Sequence, residues 1–214
     1  MFNIFYRLEQ VKTTKFLGVI LDSGLTWKPH IHSLSNKVAK SIGIISLARK
    51  TLSQKTLIQL YYSFVFPYLS YCTPIWGNTA DSSLWPIYRL QKISIRIIGG
   101  ISRGSSSRPF CKKFYILHLP EIYKLSIAIF MFKYHNSILP ATFNNLFTKN
   151  SNFHNYPTRN SNRLRIPRVR TKLADNFVTK QGVLIWNEIS GKFDTNTSLN
   201  VFKHNLKSYL ISTY

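Results

Sequence analysis

TLIQLYYSFVFPYLSYCTPIWGNTA, residues 56–80, decides the fold class. The stretch carries no charged residue, and a membrane-spanning helix needs about 20 mainly apolar residues. Gln59, Ser63, Pro67, Ser70, Thr73 and Pro74 interrupt it. Each proline removes a backbone donor and frees a carbonyl that hydrocarbon cannot satisfy. The stretch is therefore read as buried helical core rather than as a span, and the rest of the chain has to supply what covers it.

Working outward, the flanks are helical. Ser53 reads as the N-cap of a helix through Leu57, Leu60, Tyr61 and Phe64 that stops near Pro67. Upstream, from Pro29, Ile31, Leu34, Val38, Ile42 and Ile45 recur at three- and four-residue spacing, one face of a helix, with Lys37 and Lys40 off the stripe. Downstream, Asp81 or Ser82 is expected to cap a helix with Leu84, Ile87, Leu90, Ile93 and Ile97 inward, Arg89, Lys92 and Arg96 outward, and Gly99-Gly100 as its stop. A Ser/Arg-rich connection follows, from Ile101 to Lys113, ending in a short helical turn. Pro120 opens a helix with Ile122, Leu125, Ile129 and Phe132 inward, ending before Pro140. A short helix after Pro140, an extended segment from Lys149 to Lys172, a helix from Phe177 to Ile189, and a last helix capped by Ser198 with Phe202, Leu206, Tyr209 and Leu210 complete the chain.

The N-terminal end reads differently. Phe16 to Leu21 is a short, branched apolar run that ends in the turn signal Asp22-Ser23-Gly24, and Met1 to Val11 alternates loosely enough to pair with it. The expectation is a mainly α fold with a short N-terminal β-hairpin. Residues 1–27 form the β segment, 28–115 a helical bundle, and 116–214 a C-terminal helical, basic region.

Composition narrows the chemistry. In 214 residues there are 29 Lys+Arg against 7 Asp+Glu, a net charge of +22, while 44% of residues are apolar and 14% aromatic. That is a folded basic protein, not a disordered tail. Glu9, Asp22, Asp81, Glu121, Asp175, Glu188 and Asp194 lie far apart, with no pair at i, i+2 or i, i+4. Metal-dependent and acid–base catalysis need placed carboxylates, so the scarcity argues against such a site here and for a polyanionic partner. Asp22 is read as a turn residue.

Between Glu121 and Asp175 there is no acid, and Arg159, Arg163, Arg165, Arg168, Arg170 and Lys172 fall within fourteen residues. In an extended chain alternate side chains share a side, and arginine forks match phosphate oxygens. Phe153, His154 and Tyr156 just upstream are candidates for stacking on bases. Other signals are weak. His30 and His32 have no third ligand near in sequence and read as a helix-start pair. Cys72 reads as a core residue, Ser105–Ser107 as linker, and Trp76 and Trp186 as core anchors. Two cysteines suit a reducing compartment. Met1–Gln10 lacks a signal-peptide core, so an intracellular, unsecreted protein of cytoplasm or nucleus is expected.

Several segments in order resemble one family. Lys15-Phe16-Leu17-Gly18-Val19-Ile20-Leu21-Asp22, then Leu25-Thr26-Trp27-Lys28-Pro29-His30-Ile31, is similar to the end of the palm and start of the thumb in reverse transcriptases of non-LTR, LINE-like retrotransposons of the jockey type. Tyr68-Leu69-Ser70-Tyr71-Cys72-Thr73-Pro74-Ile75-Trp76-Gly77 resembles the thumb pattern of that family, and Trp186-Asn187-Glu188-Ile189 its C-terminal block. The resemblance implies a helical thumb following the primer-grip region, and an RNA template paired with a DNA primer as partner, with target DNA a further one. It places Lys15, Phe16 and Gly18 beside the primer end. Lys37, Lys40, Lys55, Arg89, Lys92 and Arg96 become phosphate contacts along the duplex, and the Arg159–Lys172 stretch a holder of template or target. The family's catalytic palm carries an early Asp and an Asp-Asp turn; the chain contains no Asp-Asp. It is expected to be the C-terminal portion of such an enzyme, with no catalytic residue or cofactor of its own, magnesium belonging to a complete palm, and inactive alone. A basic RNA-binding module of other origin, or a membrane-associated basic protein built around residues 56–80, stand as the alternatives.

Overall fold

Residues 56–80 fold as three short helices. In a computed structural model, which describes residues 10–152 and 160–214, α2 spans Gln54–Phe64, α3 Phe66–Ser70 and α4 Thr73–Trp76. The prolines that excluded a span start the second and third of these, each within the first two helical positions, where a missing N–H is harmless. Burial then recurs every three or four residues across all three pieces: Leu57, Tyr61, Val65, Leu69, Thr73 and Trp76 face inward. Trp76 is fully buried, and its indole donates to the Tyr71 carbonyl at 3.0 Å. A Cβ on Gly77 would meet the Thr73 carbonyl oxygen at 2.7 Å and the Tyr123 ring at 2.8 Å, so only glycine lets these backbones close. Among the described residues no single helix is long and apolar enough to cross a membrane.

The remaining helices pack around this unit. Helix α1, Lys28–Ala48, buries the expected stripe of Ile31, Leu34, Val38, Ile42 and Ile45 against α5, Asp81–Gly99, and against α2 and α3. Helix α6 spans Arg108–Phe114. Helix α7, Leu119–His135, is buried on more than one side, at Leu119, Ile122, Tyr123, Leu125, Ile127, Ala128, Met131 and Phe132. It meets α3 and α4 on one flank and α9 (Val178–Ile189) and α10 (Leu199–Ser212) on the other. Phe132 stacks on Phe202 at 4.5 Å, and the buried Trp186 packs against His135 and Phe202. The short helix α8 covers Lys172–Asp175. Ser53 and Ser198 cap their helices as expected, accepting from the backbone N–H of Thr56 and Val201. After Pro140 there is only a 3₁₀ turn, Ala141–Phe143. Buried residues from Val19 to Ile211 form one cluster.

Three readings need correction. The run Phe16–Leu21 is two strands, not one: β1 (Thr13–Phe16) and β2 (Val19–Asp22) pair antiparallel, Phe16 opposite Val19. Leu17 and Gly18 make the turn with φ of 45° and 83°, the left-handed geometry of a two-residue hairpin loop. Glycine tolerates it and leucine is strained by it. The pairing expected from Met1–Val11 lies mostly outside the described residues. Second, Phe64 is exposed rather than inward. Third, α5 is rotated about its axis. Its buried residues are Ile87, Gln91, Ser94, Ile95 and Ile98, and the predicted Leu84, Leu90, Ile93 and Ile97 are only partly covered; Ala80, not Asp81 or Ser82, stands at its cap.

Gln91 explains the rotation. It is fully buried, and its amide nitrogen donates to the Tyr61 hydroxyl and the Leu117 carbonyl, both at 2.9 Å. Its amide oxygen accepts the Leu119 N–H at 2.9 Å. Polar groups from α2 and from the α6–α7 junction are satisfied only with this side chain inward. Gln91→Leu keeps the volume and strands three buried groups. An unfolding free-energy loss on the order of 3 kcal/mol is expected, read from the shift in urea midpoint at unchanged m-value; a loss below about 0.5 kcal/mol would show the network to be dispensable.

Candidate nucleic-acid interface

Most carboxylates of the described residues are engaged locally. Asp22 accepts the N–H and hydroxyl of Thr26 and the N–H of Trp27, each at 2.9 Å. Burial alone would raise its pKa, but these bonds outweigh it and hold the carboxyl below its ordinary value. Asp175 pairs with Lys180, and Glu188 with Lys192 at 3.7 Å. Asp194 accepts the Asn196 N–H, and Glu121 accepts the Tyr214 hydroxyl at 3.2 Å. Neither paired lysine is among the expected phosphate ligands. Among the described residues, Arg89, Lys92 and Arg96 have no carboxylate partner.

Helix α5 gathers these three. Arg89 and Arg96 line a cleft of about 550 Å³ together with Arg49 and Arg103. Arg49 follows the end of α1 and Arg103 sits in the α5–α6 connection; neither belongs to a charge run, and only the fold brings them here. A second, tighter cleft of about 120 Å³ lies beside it, lined by Lys92, Arg96 and Arg108 with Ser106 and Ser107. Arg96 borders both, fixed by a 2.8 Å bond from Nε to the Ser105 carbonyl. The Lys92 ammonium lies 3.9 Å from the Tyr88 ring centroid and 5.1 Å from that of Trp85. Burial, then Arg96 and Arg108, lower its pKa.

The basic stretch is an extended strap. Leu164 bridges Lys149 in antiparallel fashion, and Arg165 N–H donates to the Thr148 carbonyl at 2.8 Å. Asn187 on α9 clamps it: its amide donates to the Leu164 carbonyl at 2.8 Å and accepts the Leu164 N–H at 3.1 Å. That gives the Trp186-Asn187 pair a division of labour, the indole in the core and the amide on the strap. Arg165 and Arg168 line a cleft of about 350 Å³ with Thr179; Arg163, Arg170 and Lys172 are exposed outside it. Arg159, with Phe153, His154 and Tyr156, lies outside the described residues.

The other expected phosphate ligands are spread more widely. Lys15 and Phe16 are exposed on the hairpin, whose turn is held by a 2.6 Å bond from the Tyr71 hydroxyl to the Leu17 carbonyl. A Cβ at Gly18 would meet nothing closer than the Tyr71 ring at 3.6 Å, so its positive φ, not crowding, calls for glycine. Lys37 lies over the Tyr68 ring, and Lys40 and Lys55 are exposed. None of these lines the three clefts.

Competing chemistries have little to stand on. His30 is buried, accepts the Ile20 N–H at 3.3 Å and packs edge-on to Trp76, while His32 is exposed. No group of three or more potential metal ligands occurs among the described residues. Cys111 lies 3.0 Å from the His118 ring, but burial pushes the thiol up to about 12 and the imidazole, with Lys92 and Arg108 adding, down to about 4. A reactive thiolate–imidazolium pair needs the reverse.

Two polymerases of mobile elements share sequence with the chain. Over 97 residues, 44% of this chain, it is 33% identical to a probable RNA-directed DNA polymerase from transposon X-element of Drosophila melanogaster. Over 97 residues it is 36% identical to the RNA-directed DNA polymerase from mobile element jockey of Drosophila funebris. The match spans about a tenth of each relative, 11% and 10% of their lengths. No protein-family model and no solved structure matches.

Two outcomes are expected. Replacing Arg49, Arg89 and Arg103 together by Gln should leave the melting temperature near that of the wild type. It should also flatten the log–log salt dependence of nucleic-acid binding by about 2, at roughly 0.7–0.9 for each phosphate no longer neutralised; an unchanged slope would remove the cleft from the interface. Separately, the unfolded chain takes up a proton at His118 below the imidazole's ordinary value, whereas the folded chain resists until about 4. Stability from this group is full above pH 6.5 and lost as pH falls toward 4. Glu121, raised chiefly by burial, acts in the opposite sense. Melting curves of His118→Gln should therefore fall less between pH 7 and pH 5 than those of the wild type.

Proposed function

We propose that the chain is the thumb and C-terminal part of an RNA-directed DNA polymerase of a mobile element, and that it positions template and primer rather than transferring nucleotides. The observation that carries this is the relatedness over 97 residues to the X-element and jockey polymerases. The hairpin is the palm-end segment, residues 28–115 the thumb, and 116–214 the basic C-terminal region.

The physics of each part suits the role. A rigid hairpin, fixed to α3 through Tyr71, presents Phe16 and Lys15 beside the primer terminus. The cationic clefts on α5 engage phosphates of an RNA/DNA hybrid, whose A-like minor groove is read by backbone shape rather than by sequence. The strap clamped by Asn187 offers arginine forks to template RNA or target DNA. Magnesium-assisted nucleotidyl transfer needs paired carboxylates, and the seven acids here are scattered.

The test is fluorescence polarisation with purified chain and three labelled ligands, single-stranded RNA, duplex DNA and a primed RNA/DNA hybrid, over a salt series. Tight, steeply salt-dependent binding that favours the hybrid is expected. Equal, weak binding to all three would mean that a charge of +22 alone accounts for it and would overturn the thumb assignment.

A further inference from the structure

The α5 surface carries more than a phosphate track. Beside the tight cationic cleft lies a cavity of about 510 Å³, within the size range of ligand sites. Tyr88 lines both. The larger cavity is walled by Trp85, Tyr88 and Tyr123. Trp85 is 55% exposed, unlike the buried Trp27, Trp76 and Trp186. Its ring stands T-shaped to Tyr88 at 6.1 Å, with the Lys92 ammonium 5.1 Å from its centroid, so the aromatic wall of the cavity runs directly into the cationic cleft. The larger cavity carries one carboxylate, Asp81, against one ammonium, Lys124; the tight cleft holds Lys92, Arg96 and Arg108 and no carboxylate. One end therefore suits a base and the other its phosphate.

We propose that the two cavities meeting at Tyr88 form a subsite for one unpaired nucleotide of a single strand, its base against Trp85 and its phosphate between Lys92, Arg96 and Arg108. Stacking on an aromatic face together with a cationic groove is how single strands are held without sequence preference. A strand is favoured over a free nucleotide because the cationic lining does not stop at one phosphate. Arg96 also borders the cleft of Arg49, Arg89 and Arg103, where the next phosphates of a polymer would lie. The assignment rests on the proposed function only in taking the partner to be nucleic acid; a base-paired hybrid presents no free base face to Trp85.

The test compares the full chain with Trp85→Ala, Trp85→Phe and Arg108→Gln, each checked for an unchanged melting temperature. Probes are a single-stranded RNA bearing 2-aminopurine, a blunt RNA/DNA hybrid, and adenosine monophosphate. The wild type should quench 2-aminopurine. Trp85→Ala should weaken single-strand binding about tenfold and abolish the quench, with hybrid affinity unchanged. Trp85→Phe should retain most of the binding, and Arg108→Gln should weaken the single strand more than the hybrid. Unchanged single-strand affinity in Trp85→Ala, or equal loss on strand and hybrid, would overturn the subsite. Adenosine monophosphate binding as tightly as the strand would overturn the strand assignment. Loss of hybrid preference with an intact Trp85 effect would sink the thumb reading and leave the subsite standing.

Discussion

The basic surface along α5 depends on one buried amide. Gln91 has no exposure, and its partners belong to α2 and to the start of α7. Turning α5 to bring Leu90 and Ile93 inward would exchange them for the buried Ile87, Ile95 and Ile98, an apolar trade at about 25 cal/mol per Å² on both sides. It would also leave the Tyr61 hydroxyl, the Leu117 carbonyl and the Leu119 N–H unpaired in the core, at about 1–3 kcal/mol each. The polar term wins, and the rotation that results sets Trp85, Tyr88, Lys92 and Arg96 along one flank of the helix.

Scarcity of acid governs the electrostatics. Two ion pairs among the described residues involve Lys180 and Lys192, while Asp22 and Asp194 hold turns and Glu121 accepts a hydroxyl. Among the described residues the arginines around α5 therefore face one another without an ion pair, Glu121 acting on Arg108 only through its field. Such a cluster is destabilising in isolation, and a bound polyanion would relieve that repulsion. The underside of the cluster is neutral by the same logic. An imidazolium at His118, beneath Lys92 and Arg108, would add to the repulsion; burial and those cations keep the ring uncharged, bonded through Cys111 and Ser107.

Local signals were legible and long-range ones were not. The stripe of α1, the Ser53 and Ser198 caps, and the breaks at Pro67 and Pro74 depend on neighbours within a turn or two. The face of α5 depends on partners 26 to 30 residues away, and apolar periodicity cannot see a glutamine that is buried because it is satisfied. The Leu17-Gly18 turn was hidden inside an apolar run, since leucine gives no sign that it will accept a positive φ. On the basic face, Arg89, Lys92 and Arg96 could be read from helical spacing. Arg49, Arg103 and Arg108 could not, because they lie far apart in sequence, off the α5 spacing, and join the group only through the end of α1 and the connection into α6.

Asn187 extends the same argument to the C-terminal region. A strap with a net positive charge and few apolar residues has little reason to lie on the protein; self-repulsion favours solution. Its attachment comes from Leu164, buried at the one point where the Asn187 amide mimics a neighbouring strand by both donating and accepting. An aspartate there could only accept, and a leucine could do neither. The arginines on either side of Leu164 thus inherit their position from a neutral residue in the last turn of a core helix. Charge supplies the attraction for a polyanion on this face, and uncharged amides, Asn187 here and Gln91 under α5, decide where that charge is held.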